Sequence, residues 1–150
     1  APMNAYFLNL GLESLPLRVE RHVANATAIA KFLKNHPKVE WVNYPGLEGD
    51  KYYELAKKYM PKGTCGVISF GVKGGRKAAE DFMGKLKIGM IATHVADSRT
   101  CVLHPASATH RQLSDQELID CGVSPDMIRL SVGVENVNDL IADLKNALEN

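Results

Sequence analysis

An arginine and a serine alternate with apolar residues in the segment Met127–Val132. A period of two is typical of a β-strand, and it puts Arg129 and Ser131 on one face with the apolar residues on the other. A guanidinium held on a stiff strand can bind a carboxylate through two parallel hydrogen bonds. The alternative is a structural arginine, either exposed on the solvent face or paired internally with Glu135. The residues alone leave both interpretations open.

Three histidines lie in the polar stretch from 93 to 110, which is rich in serine and threonine. His104 and His110 follow His94 by ten and sixteen residues. That spacing matches no zinc pattern and no cysteine pair assists, so no metal site is predicted. A Ser–His or Cys–His nucleophile is also disfavoured, because the chain has no G-x-S-x-G elbow. The histidines are best interpreted as hydrogen-bonding loop residues.

Helical and strand patterns alternate along the chain and must position these polar segments. The predicted helices lie at 14–35, 51–60, 76–86, 114–121 and after Asn136. The predicted strands lie at 39–43, 66–72, 88–92, 100–103 and 127–132. The order predicts an α+β sandwich of about four strands covered by helices on one face, with a long lead-in helix.

Composition excludes several classes of protein. Eighteen Lys and Arg against seventeen Asp and Glu leave a net charge of +1, which gives no electrostatic reason to expect nucleic acid or an anionic membrane as partner. No apolar run approaches the roughly 18 residues of a membrane span. Three cysteines without paired spacing predict a reducing, cytoplasmic location. The opening Ala1–Phe7 is neither a signal peptide nor an obvious natural start, so the chain is expected to be a fragment.

Six segments carry motifs that together resemble one family of enzymes: 11–18, 43–47 and 66–70 in the first half of the chain, and 104–113, 128–135 and 139–144 in the second. They resemble, in the same order, the closing third of the Cys/Met-metabolism PLP-dependent enzymes. The resemblance covers essentially all 150 residues. Within the family, 109–113 and 122–125 are most similar to the O-acetylhomoserine sulfhydrylases.

The resemblance implies the small carboxy-terminal domain of a fold-type I PLP enzyme, with a mostly antiparallel sheet. Such enzymes hold pyridoxal 5′-phosphate (PLP) on a lysine of a larger preceding domain and use it as an electron sink. No counterpart of that domain is present, so residues 1–150 are expected to form one substrate-clamping domain. Its parts would be a lead-in helical segment at 1–36 and an α+β sandwich at 37–150. The chain alone is expected to lack catalytic residues, to bind no PLP covalently and to be inactive.

By position, Arg129 matches the family arginine that binds the α-carboxylate of the amino-acid substrate. His94 matches a position near that carboxylate where relatives usually carry serine or asparagine, and Ala96 stands where glycine is usual. An imidazole can still donate a hydrogen bond to a carboxylate, but it is bulkier and titratable. The residues expected to shape the loop behind the arginine are His104, Ser107, Thr109 and His110.

The activity implied for the whole protein is the conversion of O-acetylhomoserine and sulfide into homocysteine and acetate. The implied partners are the amino-acid substrate, the large PLP-binding domain and further copies in a homotetramer. One alternative is a cystathionine γ-synthase or a methionine or cystathionine γ-lyase. The other is a non-catalytic amino-acid-binding or interaction module. A Cys/His hydrolase is disfavoured because Cys65 and Cys101 lie in apolar strand contexts.

Overall fold

The computed structural model describes all 150 residues, in six α-helices, one 3₁₀ turn and five β-strands. The helices are α1 (Pro2–Glu13), α2 (Leu15–Lys34), α3 (Tyr53–Tyr59), α4 (Gly75–Lys85), α5 (Asp115–Asp120) and α6 (Val137–Glu149). The strands are β1 (Val39–Asn43), β2 (Val67–Val72), β3 (Met90–Ile91), β4 (Cys101–Leu103) and β5 (Met127–Ser131), and the 3₁₀ turn is Pro105–Ser107. The α+β class is therefore confirmed.

The strands form one sheet in the order β1-β2-β5-β4-β3. All neighbours are antiparallel except β3 and β4, which run parallel. The expectation of about four mostly antiparallel strands is thus corrected to five strands in a mixed sheet. The parallel pair arises because residues 93–99 do not form a tight turn between β3 and β4. They reach the far side of β4, where Ala96 and Ser98 bond to β5 and the residues after it, before the chain returns.

One face of the sheet forms the core together with α2, α4 and α6. Ile68, Phe70, Ile128 and Leu130 alternate along β2 and β5 and are fully buried. Phe82 of α4 meets Phe70 edge to face, with the ring centroids 5.7 Å apart. Burial of each such side chain contributes about 1.5–3 kcal/mol. This packing holds β5 rigidly at the centre of the sheet.

The lead-in segment contains two helices, whereas the sequence pattern predicted one over 14–35. α1 ends at Glu13 and α2 begins at Leu15, because Pro16 lacks the N–H that a continuous helix requires and is tolerated in a first turn. No residue of α1 is buried. Its large apolar side chains are exposed, and those of Tyr6, Phe7 and Leu8 are each more than half exposed. None of the helices combines the length and apolar character needed to cross a membrane.

A carboxylate on α6 holds the turn that leads into β3. Asp143 is 6 % exposed and accepts backbone N–H bonds from Lys87, Ile88 and Gly89 at 2.9, 2.9 and 3.0 Å. Three charge-assisted bonds on one buried carboxylate are a strong local restraint. They fix the point from which β3 and the following 93–99 loop begin.

Candidate functional site

Arg129 lies on the central strand β5, on the face that the core helices do not cover. Its neighbours across the strands are Ser69 of β2 and Leu103 of β4. The side chain is half-buried, while Ile128 and Leu130 on either side point into the core. The alternation noted in the sequence therefore places the guanidinium on the sheet face opposite the core helices.

The guanidinium of Arg129 is held by backbone oxygens and has no acidic partner. Its Nη2 donates to the carbonyl of Thr93 at 2.8 Å and to that of His94 at 3.5 Å. Its Nε is buried without a hydrogen-bond partner, and no carboxylate oxygen lies within 4.0 Å of the group. Because Nη1 is accessible and unbonded and the charge is unpaired, the guanidinium can bind an anionic ligand.

The internal ion pair that the sequence left open, Arg129 with Glu135, does not form. Glu135 instead accepts from the backbone N–H of Thr100 at 2.6 Å and from its hydroxyl at 2.9 Å. Its carboxylate is fully engaged at the end of the loop. The positive charge of Arg129 is consequently not neutralised by this residue.

His94 contributes its carbonyl to Arg129, and its imidazole is exposed. The side chain therefore makes no hydrogen bond with the residues around it. Because it follows Thr93, whose carbonyl accepts from Arg129, the exposed imidazole is available to contact a ligand bound to the arginine. Its predicted substrate-binding role stays a prediction.

Ala96 is the only non-glycine residue with a positive φ, at 61°. The left-handed conformation brings a Cβ close to the following carbonyl, so glycine is favoured there. The conformation is imposed by the loop, since the Ala96 N–H donates to the hydroxyl of Ser131 at 3.1 Å. An alanine in place of a glycine here thus leaves strain in the loop beside Arg129.

We expect Ala96→Gly to raise the free energy of unfolding by about 0.5–1 kcal/mol, because it removes that strain. Urea unfolding of the purified chain measures the change. Ala142→Gly on the exposed side of α6 is the matched control, and it should lower the free energy by about 1 kcal/mol. A loss of stability at position 96 would contradict the strained conformation.

An ion pair inside the 93–99 loop is neutral overall. Arg99 donates to Asp97 from its side chain and from its backbone N–H, and these bonds lower the pKa of Asp97 to about 2. Asp97 is therefore ionised at physiological pH and is matched by Arg99. The pair leaves the charge of Arg129 uncompensated on this side as well.

The four predicted loop residues fall into two pairs rather than one cluster. Buried His104 accepts at Nδ1 from the Ser107 hydroxyl at 2.8 Å and donates from Nε2 to the carbonyl of Pro125 at 2.8 Å. Exposed Thr109 bonds to the Nδ1 of His110 at 2.9 Å. Both ring nitrogens of His104 are thus used inside the protein. The His104–Ser107 pair shapes the chain directly after β4. The Thr109–His110 pair makes no hydrogen bond with Arg129.

The remaining candidates for chemistry do not converge. No group of three or more His, Cys, Asp or Glu is arranged to hold a metal ion. The three cysteines are unpaired, and burial raises the pKa of the Cys101 thiol, which disfavours a thiolate nucleophile. A surface pocket of about 380 Å³ lies between α2 and α3, away from Arg129, and contains Lys57 as its one charged residue.

Sequence reasoning missed the groups that hold the site together. The carbonyl of Thr93 cannot be identified from residue type, because every residue carries one. Ser131 was placed beside Arg129 correctly, but its bond to the Ala96 N–H depends on the loop's path. Thr100 carried no signal, because its partners Gly133 and Glu135 are 33 and 35 residues away in sequence.

The chain is similar to known proteins over almost its whole length. The family model described as Cys/Met metabolism PLP-dependent enzyme matches residues 1–149. An O-acetyl-L-homoserine sulfhydrylase of Leptospira meyeri is 47% identical over 151 residues, covering 100% of this chain and 34% of the relative. An L-methionine gamma-lyase of Fusobacterium nucleatum subsp. nucleatum is 45% identical over 148 residues, covering 99% and 37%.

Solved structures agree in fold. A Campylobacter jejuni protein proposed to be an O-acetylhomoserine (thiol)-lyase superposes with a TM-score of 0.92 at 44% identity, covering 100% of this chain and 36% of that one. It carries N′-pyridoxyl-lysine-5′-monophosphate at its position 205. The chain spans about a third of the length of the relatives it matches.

Proposed function

Because the chain belongs to the Cys/Met-metabolism PLP-dependent enzymes, we propose that it is the substrate-clamping domain of an O-acetylhomoserine sulfhydrylase. The complete enzyme would convert O-acetylhomoserine and sulfide into homocysteine and acetate, a step of methionine biosynthesis. The three free cysteines support a reducing, cytoplasmic location.

One observation carries the proposal for this domain, namely that the guanidinium of Arg129 has no acidic partner. The group is half-buried, no carboxylate oxygen of the chain lies within 4.0 Å of it, and Nη2 is the only one of its three nitrogens that is bonded to the protein. An α-carboxylate that accepts from the accessible Nη1 would balance the charge and supply the missing hydrogen bond. The site therefore fits the anionic end of an amino acid.

The chemistry of bond breaking would be supplied by PLP, which withdraws electrons from the substrate carbon when it is bound. No lysine side chain is hydrogen-bonded to Arg129 or to the 93–99 loop. These residues therefore fit the part of the site that binds the carboxylate, not the part that would hold the cofactor covalently. Arg129 would bind the carboxylate and fix the orientation of the substrate's Cα–H bond, which is a positioning effect. The exposed imidazole of His94 would meet the same end of the substrate.

The rest of the enzyme would cover the lead-in helices. α1 carries apolar residues around most of its circumference and has no buried residue, and such a helix is typical of the interior of a larger protein. We assign this surface to the PLP-binding domain, which lies in the part of the enzyme outside this chain. Together with the homotetramer implied by the family, this partner stays a prediction.

A γ-lyase is the second candidate, because a relative named L-methionine gamma-lyase is nearly as similar as the sulfhydrylase. Both activities would use the same carboxylate clamp. The identity of Arg129 and its loop therefore does not separate them.

We expect the complete enzyme to form homocysteine from O-acetyl-L-homoserine and sulfide, and to release little methanethiol from L-methionine. Mass spectrometry of both reactions with equal enzyme measures the ratio. Methanethiol release without homocysteine synthesis would reject the sulfhydrylase in favour of the lyase. Activity of the 150-residue chain alone would contradict its assignment as a clamping domain.

A further inference from the structure

The loop of residues 93–99, which holds Arg129, is itself fastened to β5 and to the residues that follow β5. The Ala96 N–H donates to the Ser131 hydroxyl at 3.1 Å, and the Val134 N–H donates to the carbonyl of Ser98 at 2.9 Å. Ser131 is 2 % exposed, so its bond is sheltered from water. The loop is thus attached at points along its length to the strand that carries the arginine.

A third attachment closes the end of the loop through three residues. The Glu135 carboxylate accepts hydrogen bonds from the N–H and from the hydroxyl of Thr100. The hydroxyl oxygen of Thr100 in turn accepts from the Gly133 N–H at 2.9 Å. Thr100 is 2 % exposed and Gly133 is buried. We call this chain of hydrogen bonds the Glu135–Thr100–Gly133 clasp.

The clasp leaves little free space around it. A Cβ added at Gly133 would come closer than 3.0 Å to the Glu135 carboxylate and to the Ser98 carbonyl. The Glu135 carboxylate and the Ser98 carbonyl both accept hydrogen bonds that fasten the loop. The absence of a side chain at position 133 therefore allows the loop to lie against the chain after β5. A small displacement of Glu135 would therefore be transmitted to the loop.

The position of the loop determines where the Arg129 fork points. The carbonyls of Thr93 and His94 are the only hydrogen-bond acceptors that contact the guanidinium. Because these acceptors hold the guanidinium on one side only, the guanidinium turns when they move. The same loop also presents His94, so one attachment affects both predicted substrate contacts.

We propose that Glu135 is a positioning residue, which fixes the 93–99 loop through Thr100 and so holds the Arg129 guanidinium in the orientation that binds the substrate carboxylate. The proposal rests on the function proposed above. A capping bond that only stabilised the fold would not alter the binding of the carboxylate.

The chain contains a matched control for this chemistry. Glu117 also accepts from the N–H and the hydroxyl of one residue, Ser114, at 2.8 Å each. That pair caps α5 and makes no contact with the 93–99 loop or Arg129. Glu117→Ala therefore removes the same two hydrogen bonds at a place where only stability should change.

The experiment compares Glu135→Ala, Thr100→Val and Thr100→Ser with Glu117→Ala in the complete PLP-loaded enzyme. We expect Glu135→Ala to raise KM for O-acetylhomoserine roughly tenfold or more, with a smaller change in kcat and an unchanged PLP absorbance. Thr100→Val removes the hydroxyl and should raise KM in the same direction, whereas Thr100→Ser keeps both donors and should restore the normal value. If Glu135→Ala does not fold, the two Thr100 variants carry the test.

An Arg129→Lys variant, measured alongside, separates this proposal from the proposed function. An increase of KM with Arg129→Lys but not with Glu135→Ala or Thr100→Val would overturn the positioning role alone. An unchanged KM with Arg129→Lys would overturn the clamp, and the positioning role with it. An equal rise of KM in Glu117→Ala would reduce the effect to general destabilisation and also overturn the proposal.

Discussion

Replacing Arg129 by alanine in the complete enzyme should lower kcat/KM about 10²- to 10³-fold. A charge-assisted pair of hydrogen bonds to a carboxylate in a half-buried site is worth about 3–4 kcal/mol, and each 1.36 kcal/mol corresponds to a factor of ten. Most of the loss should appear in KM, because the carboxylate is bound before and during the reaction. A part should appear in kcat, because an unclamped substrate is misaligned.

Arg129→Lys tests whether substrate binding depends on the two parallel hydrogen bonds of the guanidinium or on its positive charge alone. Lysine keeps the charge, and its ammonium can still donate to a loop carbonyl, but it cannot bind a carboxylate through two parallel hydrogen bonds. We therefore expect Arg129→Lys to recover only a small part of the lost activity. Steady-state kinetics with O-acetylhomoserine measure both variants, and the PLP absorbance shows whether the rest of the site is intact.

Arg99→Ala is the matched control, since Arg99 is an exposed arginine of the same loop and is paired with Asp97. It should change kcat/KM by less than about threefold. Wild-type kinetics in Arg129→Ala would show that the guanidinium binds no carboxylate. In that case the unpartnered Nε would need another explanation, and the proposed clamp would be withdrawn.

The parts of the fold set by local pattern could be predicted from the sequence. The alternation around Arg129 gave the correct strand and the correct face, because a period of two has only two solutions. Ser114 and Glu117 form a capping box at the start of the helix predicted at 114–121, and the Asn136 side chain caps α6, the helix predicted after that residue. These features depend on residues within four positions of one another, so no tertiary information was needed.

The parts of the site set by long-range contacts could not be predicted. Glu135 was a candidate partner for Arg129, yet it bonds to Thr100, which is 35 residues away in sequence. The choice depends on the path of the 93–99 loop across β4, which connects two very short parallel strands. A two-residue strand such as Met90–Ile91 has too few side chains for its pattern to specify a partner or a direction.

The break in the lead-in helix illustrates a third case. The apolar residues of α1 show no preferred face, because none of them contacts the core of this chain. Hydrophobic periodicity predicts a helix from the face that it buries, so it does not predict a helix that buries no face within this chain. The pattern over 14–35 therefore predicts α2, whose first turn contains Pro16, but it does not predict α1.

The largest expected effect on stability lies at Asp143, which supports the whole approach to β3. Asp143→Ala leaves three backbone N–H groups at 87–89 without their acceptor, and it should lower the free energy of unfolding by about 2–4 kcal/mol. Water can reach part of this turn, since Lys87 and Ile88 are exposed, and that limits the loss. Urea unfolding of the purified chain measures the change.

Two further variants make the interpretation specific. Asp143→Asn keeps one acceptor oxygen but turns an amide towards N–H donors, so its loss should be intermediate between wild type and alanine. Asp139→Ala changes an exposed aspartate one turn earlier in α6 and should cost less than about 1 kcal/mol. Equal losses at 139 and 143 would mean that helix electrostatics, rather than the turn, explains the effect. A large loss at 143 alone would show that the entry to β3, and with it the start of the loop that holds Arg129, depends on one buried carboxylate.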